Sequence, residues 1–128
     1  MATINGVFKV VSWNEDAYGE RLSRAAVTQR FEGDIAGEGS AQWLMAYRPD
    51  GTARFVGLQL VDGMLGGRRG TFVLETVGEF DGGVARWDAS VVPGSSTGEL
   101  AELTGAGRFE APHGSEASYE LEVELPAG

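Results

Sequence analysis

The feature that most constrains this chain is a side-chain period of two. Tyr119, Leu121, Val123 and Leu125 alternate strictly with Glu120, Glu122 and Glu124. An extended strand points successive side chains to opposite faces, so this run has one wet face and one buried face. A helix would spread the same four apolar residues over opposite sides of its axis. The segment Arg24–Phe31 repeats the pattern, with Arg24, Thr28 and Arg30 on one face and Ala25, Val27, Gln29 and Phe31 on the other.

Turn signals punctuate the whole length. They are Glu32-Gly33-Asp34, Arg48-Pro49-Asp50-Gly51, Asp62-Gly63, Gly66-Gly67, Asp81-Gly82-Gly83, Pro93-Gly94 and Pro112-His113-Gly114. Glycine supplies positive φ, proline presets a turn and aspartate bonds its own backbone. The intervals between turns each suit one strand, and strands are expected near 4–13, 22–32, 36–48, 52–61, 70–80, 83–92, 105–110 and 117–125. Sequential strands joined by short turns pair antiparallel. Closing eight of them into a barrel removes both exposed edges. The expected fold is therefore all-β, a closed antiparallel barrel of about eight strands spanning 1–128 as one domain. One helical segment interrupts it near 97–104. Ser96-Thr97-Gly98-Glu99 has capping-box spacing, with Ser96 as N-cap and Glu99 reaching back. Leu100 and Leu103 then dock on the barrel, and Gly105 is a stop.

Composition limits the function classes. With 19 Asp+Glu against 10 Lys+Arg the net charge is −9, and no basic cluster exceeds Arg68-Arg69. Phosphate contacts need a basic footprint, so no nucleic acid is expected as a partner. There is no cysteine and one histidine, His113, which leaves no zinc site, and no acidic loop has calcium-binding spacing. No metal and no cofactor are expected. No apolar run reaches membrane-spanning length and residues 1–6 lack the features of a signal peptide, so a cytoplasmic protein away from membranes is expected. Gly94-Ser95-Ser96-Thr97-Gly98 matches the nucleophile-elbow pattern. That elbow needs a parallel α/β sheet which this chain does not build, and capping accounts for Ser96 with less machinery. His113, between Pro112 and Gly114, reads as a loop residue.

The barrel interior is the better place for function, because apolar walls carrying a few fixed polar groups make small-molecule pockets. Inward residues include Phe8, Val10, Val27, Gln29, Phe31, Leu74 and Tyr119, with either Gln42 and Leu44 or Trp43 and Met45. The candidate ligand contacts are the amides Gln29, Gln42 and Gln59, the rings Trp43, Tyr47, Phe55, Phe72, Trp87 and Tyr119, and the aliphatic side chains Met45 and Leu74. Thr76 is a further candidate polar group. A packed core in which the amides satisfy one another is the alternative. Val56, Leu58 and Leu60 face opposite Phe55 and Val61, and Leu44 and Ala46 opposite Trp43 and Met45. One of these faces lies outside, and it is the candidate surface for a homo-oligomer, a dimer being favoured.

Several ordered segments resemble a bacterial family of domains of unknown function, the one numbered 3224. They are Val11-Ser12-Trp13, Ala46-Tyr47-Arg48 with Asp50-Gly51-Thr52-Ala53, Phe55-Val56-Gly57-Leu58, Phe72-Val73-Leu74, Phe80-Asp81-Gly82-Gly83, Pro93-Gly94-Ser95 with Thr97-Gly98-Glu99-Leu100, and Ala111-Pro112-His113-Gly114. The resemblance spans nearly the whole chain. It implies a barrel like that of plant allene oxide cyclase, and no established activity. The family pattern has a Gln-His pair after Phe-Val-Leu, where this chain has Glu75-Thr76. Gln42 stands where an acidic residue often precedes the Leu-Met-Ala-Tyr segment. Two functions are carried forward: a barrel that binds a small apolar molecule, or a cofactor-independent isomerase or cyclase. The second needs a charged or phenolic group aimed inward, such as Glu75, Tyr47 or Tyr119.

Overall fold

The computed structural model describes residues 1–112 and 116–126, so His113 and Gly114 lie outside the described residues. Eight strands close into an antiparallel barrel in sequence order, β1 pairing with β8. They are β1 (Ala2–Gly19), β2 (Leu22–Gly33), β3 (Ile35–Tyr47), β4 (Ala53–Leu65), β5 (Arg68–Phe80), β6 (Val84–Val91), β7 (Thr104–Pro112) and β8 (Ala117–Glu124). Glu32-Gly33-Asp34, Arg48–Gly51, Gly66-Gly67 and Asp81–Gly83 join strands as expected and Pro93-Gly94 follows β6, whereas Asp62-Gly63, an expected turn, lies within β4, which runs on to Leu65, and β1 turns into β2 at Glu20-Arg21, which carried no turn signal. Asp50 Oδ1 accepts from the Thr52 backbone N–H, and Asp81 Oδ1 from those of Gly83 and Val84. These side chains supply the acceptors that the turning backbone lacks.

Alternation sorts the faces as expected in β2 and β8, and it settles the open choice in β3. Trp43 and Met45 are buried, while Gln42 and Leu44 face solvent. The outer face of β3–β5 carries Leu44, Val56, Leu58, Leu60 and Val77, all exposed. Leu44 pairs across to Val56, and Val56 to Val77, so the apolar residues form a continuous ribbon.

Inside, aromatic rings form a column. Tyr119 and Phe31 lie toward one end, then Phe8, Phe109 and Trp87, then Trp43 and Phe55, with neighbouring centroids 4.9–5.9 Å apart. Trp87 and Phe109 stack at 5.2 Å with only 5° between their planes. Tyr119 is buried, and its hydroxyl accepts from the Ile35 N–H at 2.8 Å and donates to the Glu32 carbonyl at 3.0 Å. It pins the β2–β3 turn.

The helix expected over 97–104 is reduced to a single 3-10 turn, Gly98–Leu100. Its N-cap is Thr97 rather than Ser96, with no side-chain capping bond, and Gly98 has φ +63°. The reason lies on β5. β6 pairs only with Leu74–Phe80, which leaves the first part of β5 without a strand partner on that side. Unpaired backbone N–H groups need acceptors. Glu99 Oε1 takes the Arg69 N–H, Thr97 Oγ1 takes that of Thr71, and Ser95 Oγ takes that of Val73. Glu99 is thus spent on the strand edge instead of a capping box. Leu100 and Leu103 do enter the core, as expected. Gly105, the expected stop, lies in β7. Among the described residues no helix is long and apolar enough to cross a membrane.

Candidate functional site

The barrel is filled at one end and open at the other. β8 pairs with β1 only along Ala2–Phe8, so β1 beyond Phe8 has no β8 partner. The pairing of β1 with β2 slips between Val10 and Ser12, a β-bulge. One inserted residue reverses which side chains face inward. Before the bulge Phe8 is buried and Val10, expected to face inward, is half exposed at the cavity's edge, whereas after it Trp13 lines the cavity and Glu15 bonds Trp13 and Tyr47 at the mouth. Here a cavity of about 220 Å³ opens, lined by Val10, Trp13, Gln29, Trp43, Met45, Tyr47, Phe55, Phe80, Ala85, Trp87 and Ala111.

Six of the residues expected from the sequence meet at this cavity: Gln29, Trp43, Met45, Tyr47, Phe55 and Trp87. The others do not line it. Gln42 projects outward, because the register turns its neighbours Trp43 and Met45 inside. Phe72 and Leu74 are buried nearer the start of β5, away from the Phe80 end that borders the cavity. Tyr119 spends its hydroxyl on the β2–β3 turn. Gln59 and Thr76 are buried one step behind the wall, and Glu75 is exposed on the outer face. Val10, expected to face inward, also borders the cavity, and Trp13, Phe80, Ala85 and Ala111, which were not expected, complete the lining. The signal for Trp13 was faint: Val10-Val11 is the doublet where strict alternation breaks.

The aromatic wall is held by polar contacts behind it. Trp43 Nε1 donates to Thr76 Oγ1 at 2.9 Å, and that hydroxyl donates to the Gly57 carbonyl at 2.9 Å. Trp43 lies against Gly57, where a Cβ would stand 1.9 Å from the Gln42 carbonyl oxygen and 2.8 Å from Trp43 Cδ1. Trp87 Nε1 donates to Gln59 Oε1 at 3.3 Å, and Gln59 Nε2 donates to Gln29 Oε1 at 2.8 Å. Gln29 Nε2 is buried with no hydrogen-bond partner among the described residues.

At the mouth, Glu15 gathers three donors. Trp13 Nε1 donates to Oε1 at 2.9 Å, Tyr47 Oη donates to Oε2 at 2.6 Å, and Ser23 Oγ also donates to Oε2. Burial alone would raise the Glu15 pKa, but the bonds from Ser23, Tyr47 and Trp13 together outweigh it and hold the carboxyl below its ordinary value. The Tyr47 phenol is pushed up to about 12, first by burial and then by the hydrogen bond and charge of Glu15. At neutral pH the cluster is a saturated carboxylate and a protonated phenol, neither poised to transfer a proton.

Folded Glu15 binds a proton less readily than it does in the unfolded chain. Its contribution to stability is complete above the ordinary carboxylate range and is lost as pH falls through the depressed folded value. Asp50, Glu79 and Asp81 are shifted the same way, so wild type must be compared with a variant. Thermal unfolding of Glu15→Gln, followed from neutral pH to about pH 3, is expected to show a smaller acid-induced drop in Tm than wild type. Parallel curves would show that Glu15 gains nothing from its three donors.

Comparison with known proteins agrees with the architecture. Residues 4–123 match DUF3224, a family of proteins of unknown function. A crystal structure of a protein of unknown function from the same family, from Shewanella oneidensis MR-1, superposes with a TM-score of 0.83. The two sequences are 27% identical over 100% of this chain and 99% of that one. No curated protein matches this sequence. With almost all of β1 to β8 inside the matched segment, this chain belongs to the DUF3224 family.

Proposed function

We propose that this protein binds a small, flat apolar molecule in the open end of its barrel, without transforming it. One observation carries the reading. The rings of Trp13, Trp43, Phe55 and Trp87 and the side chain of Met45 surround a cavity open to solvent, while the rest of the interior is packed. Apolar surface kept at a mouth gives up water favourably when a ligand covers it. An apolar cavity of about 150 Å³ holds benzene, so one of about 220 Å³ suits a molecule of two fused rings. Tyr47 and Glu15 satisfy each other, which favours binding over acid–base catalysis. The isomerase or cyclase reading has one observation in its favour, a carboxylate fixed at the rim of an apolar cavity. The outer apolar ribbon of β3–β5 is the surface on which self-association to a dimer would rest.

The cavity is tested by filling it. Ala111 lines it and is only partly buried, so Ala111→Phe adds a ring at the mouth with little strain on the core. Titration with indane, followed by tryptophan fluorescence, is expected to saturate for wild type and to weaken at least tenfold for Ala111→Phe. Equal binding by both proteins would place the apolar site elsewhere.

A further inference from the structure

Trp87 and Gln29 in the cavity wall and Gln59 behind it form a hydrogen-bond chain whose direction is forced. The Trp87 indole has one N–H and no acceptor, so Gln59 must turn its oxygen toward it. Gln59 then has only its NH₂ to offer Gln29, at 2.8 Å, and Gln29 must answer with its own oxygen. The Gln29 NH₂ is left at the end of the chain. Reversing either amide would set two donors against each other. Gln29 is only 1% exposed, its Nε2 has no acceptor among the described residues, and it belongs to the cavity wall. A buried donor without a partner is costly, and an acceptor brought to it recovers that cost.

We infer that the cavity selects ligands carrying a hydrogen-bond acceptor, a carbonyl or ether oxygen on a flat apolar body, to which Gln29 Nε2–H donates. This rests on the binding reading above and narrows it from any apolar molecule to one with an oxygen directed at Gln29. Specificity of this kind comes from the donor that a plain hydrocarbon leaves unpaired. Donor-only ligands, such as ammonium or indole N–H groups, gain nothing there.

Indane and 1-indanone test the inference, because they share one bicyclic frame and differ by a carbonyl. With wild type, 1-indanone is expected to bind about tenfold more tightly than indane, the ratio of one buried hydrogen bond. In Gln29→Met the ratio of the two affinities is expected to fall to about one. Because that variant also strips Gln59 of its acceptor and can lose the fold, wild type supplies a second readout. The side-chain amide protons of Gln29, observed by NMR, are expected to shift on adding 1-indanone and to stay in place with indane. Equal affinity for the two probes with an unmoved Gln29 amide overturns the inference and leaves the apolar cavity standing. Failure of both probes to bind overturns the binding reading and the inference together.

Discussion

Trp87→Ala is expected to cost about 3–5 kcal/mol of folding stability, the range for truncating a buried large aromatic side chain. Trp87 is 4% exposed and touches four other rings: it stacks on Phe109 and meets Phe8, Trp43 and Phe55 edge-on. Its removal leaves a void that strands on both sides cannot close, because β6 is held in register by β5 and β7. It also takes the donor from Gln59 Oε1. Domains of this size are stable by roughly 5–15 kcal/mol, so the loss is a large share of the total. Urea unfolding monitored by circular dichroism measures it, as a lower midpoint with the slope unchanged. A loss under about 1 kcal/mol would mean that the aromatic column is not what holds the barrel together.

Gly57→Ala is expected to damage stability and the site at once. A methyl group at Gly57 would sit 1.9 Å from the Gln42 carbonyl oxygen, a backbone atom that moves only if β3 moves. It would also press on Trp43 Cδ1 at 2.8 Å. Trp43 cannot swing aside freely, since its Nε1 is bonded to Thr76 Oγ1 and its ring lies against Phe55 and Trp87. Overpacking of this kind costs about 1–3 kcal/mol, and the upper end is expected here because the obstacle is backbone. Indane binding is expected to fall with it, since Trp43 forms one wall of the cavity. Wild-type stability together with wild-type binding would show that β3 and β4 part easily. The close packing of Trp43 on its neighbouring strand would then have no structural consequence.

The two substitutions fail for opposite reasons, a void and a clash, yet both act on the same few residues. The open end of the barrel is built from the same rings as its core, so the site has no separate scaffold. Ligand affinity and folding stability are therefore expected to move together across most wall variants. Ala111→Phe is the exception, because Ala111 sits at the rim and adds to the wall without removing any of it.

Most of the architecture was legible in the residues. Alternation in Arg24–Phe31 and Tyr119–Leu125 is a local property of extended backbone, and the Asp-Gly and Pro-Asp-Gly turns are local chemistry. Together they determine strand number, antiparallel order and the inward set that includes Phe31, Val27 and Gln29. Three things depended on contacts between segments distant in sequence. The bulge at Val10–Ser12 reverses the facing of β1 and brings Trp13 and Glu15 to the mouth, and the Val10-Val11 doublet marks the break in alternation without showing which side chains turn in after it. The unpaired edge of β5 draws Ser95, Thr97 and Glu99 into service as acceptors, so a capping-box spacing yields only one 3-10 turn. The direction of the Trp87–Gln59–Gln29 chain is set by an indole that can only donate, 28 residues from the amide it meets. Facing and turning are decided by neighbours along the backbone. Which amide keeps a free donor, and where the barrel stays open, is decided by partners that meet only once the chain is closed.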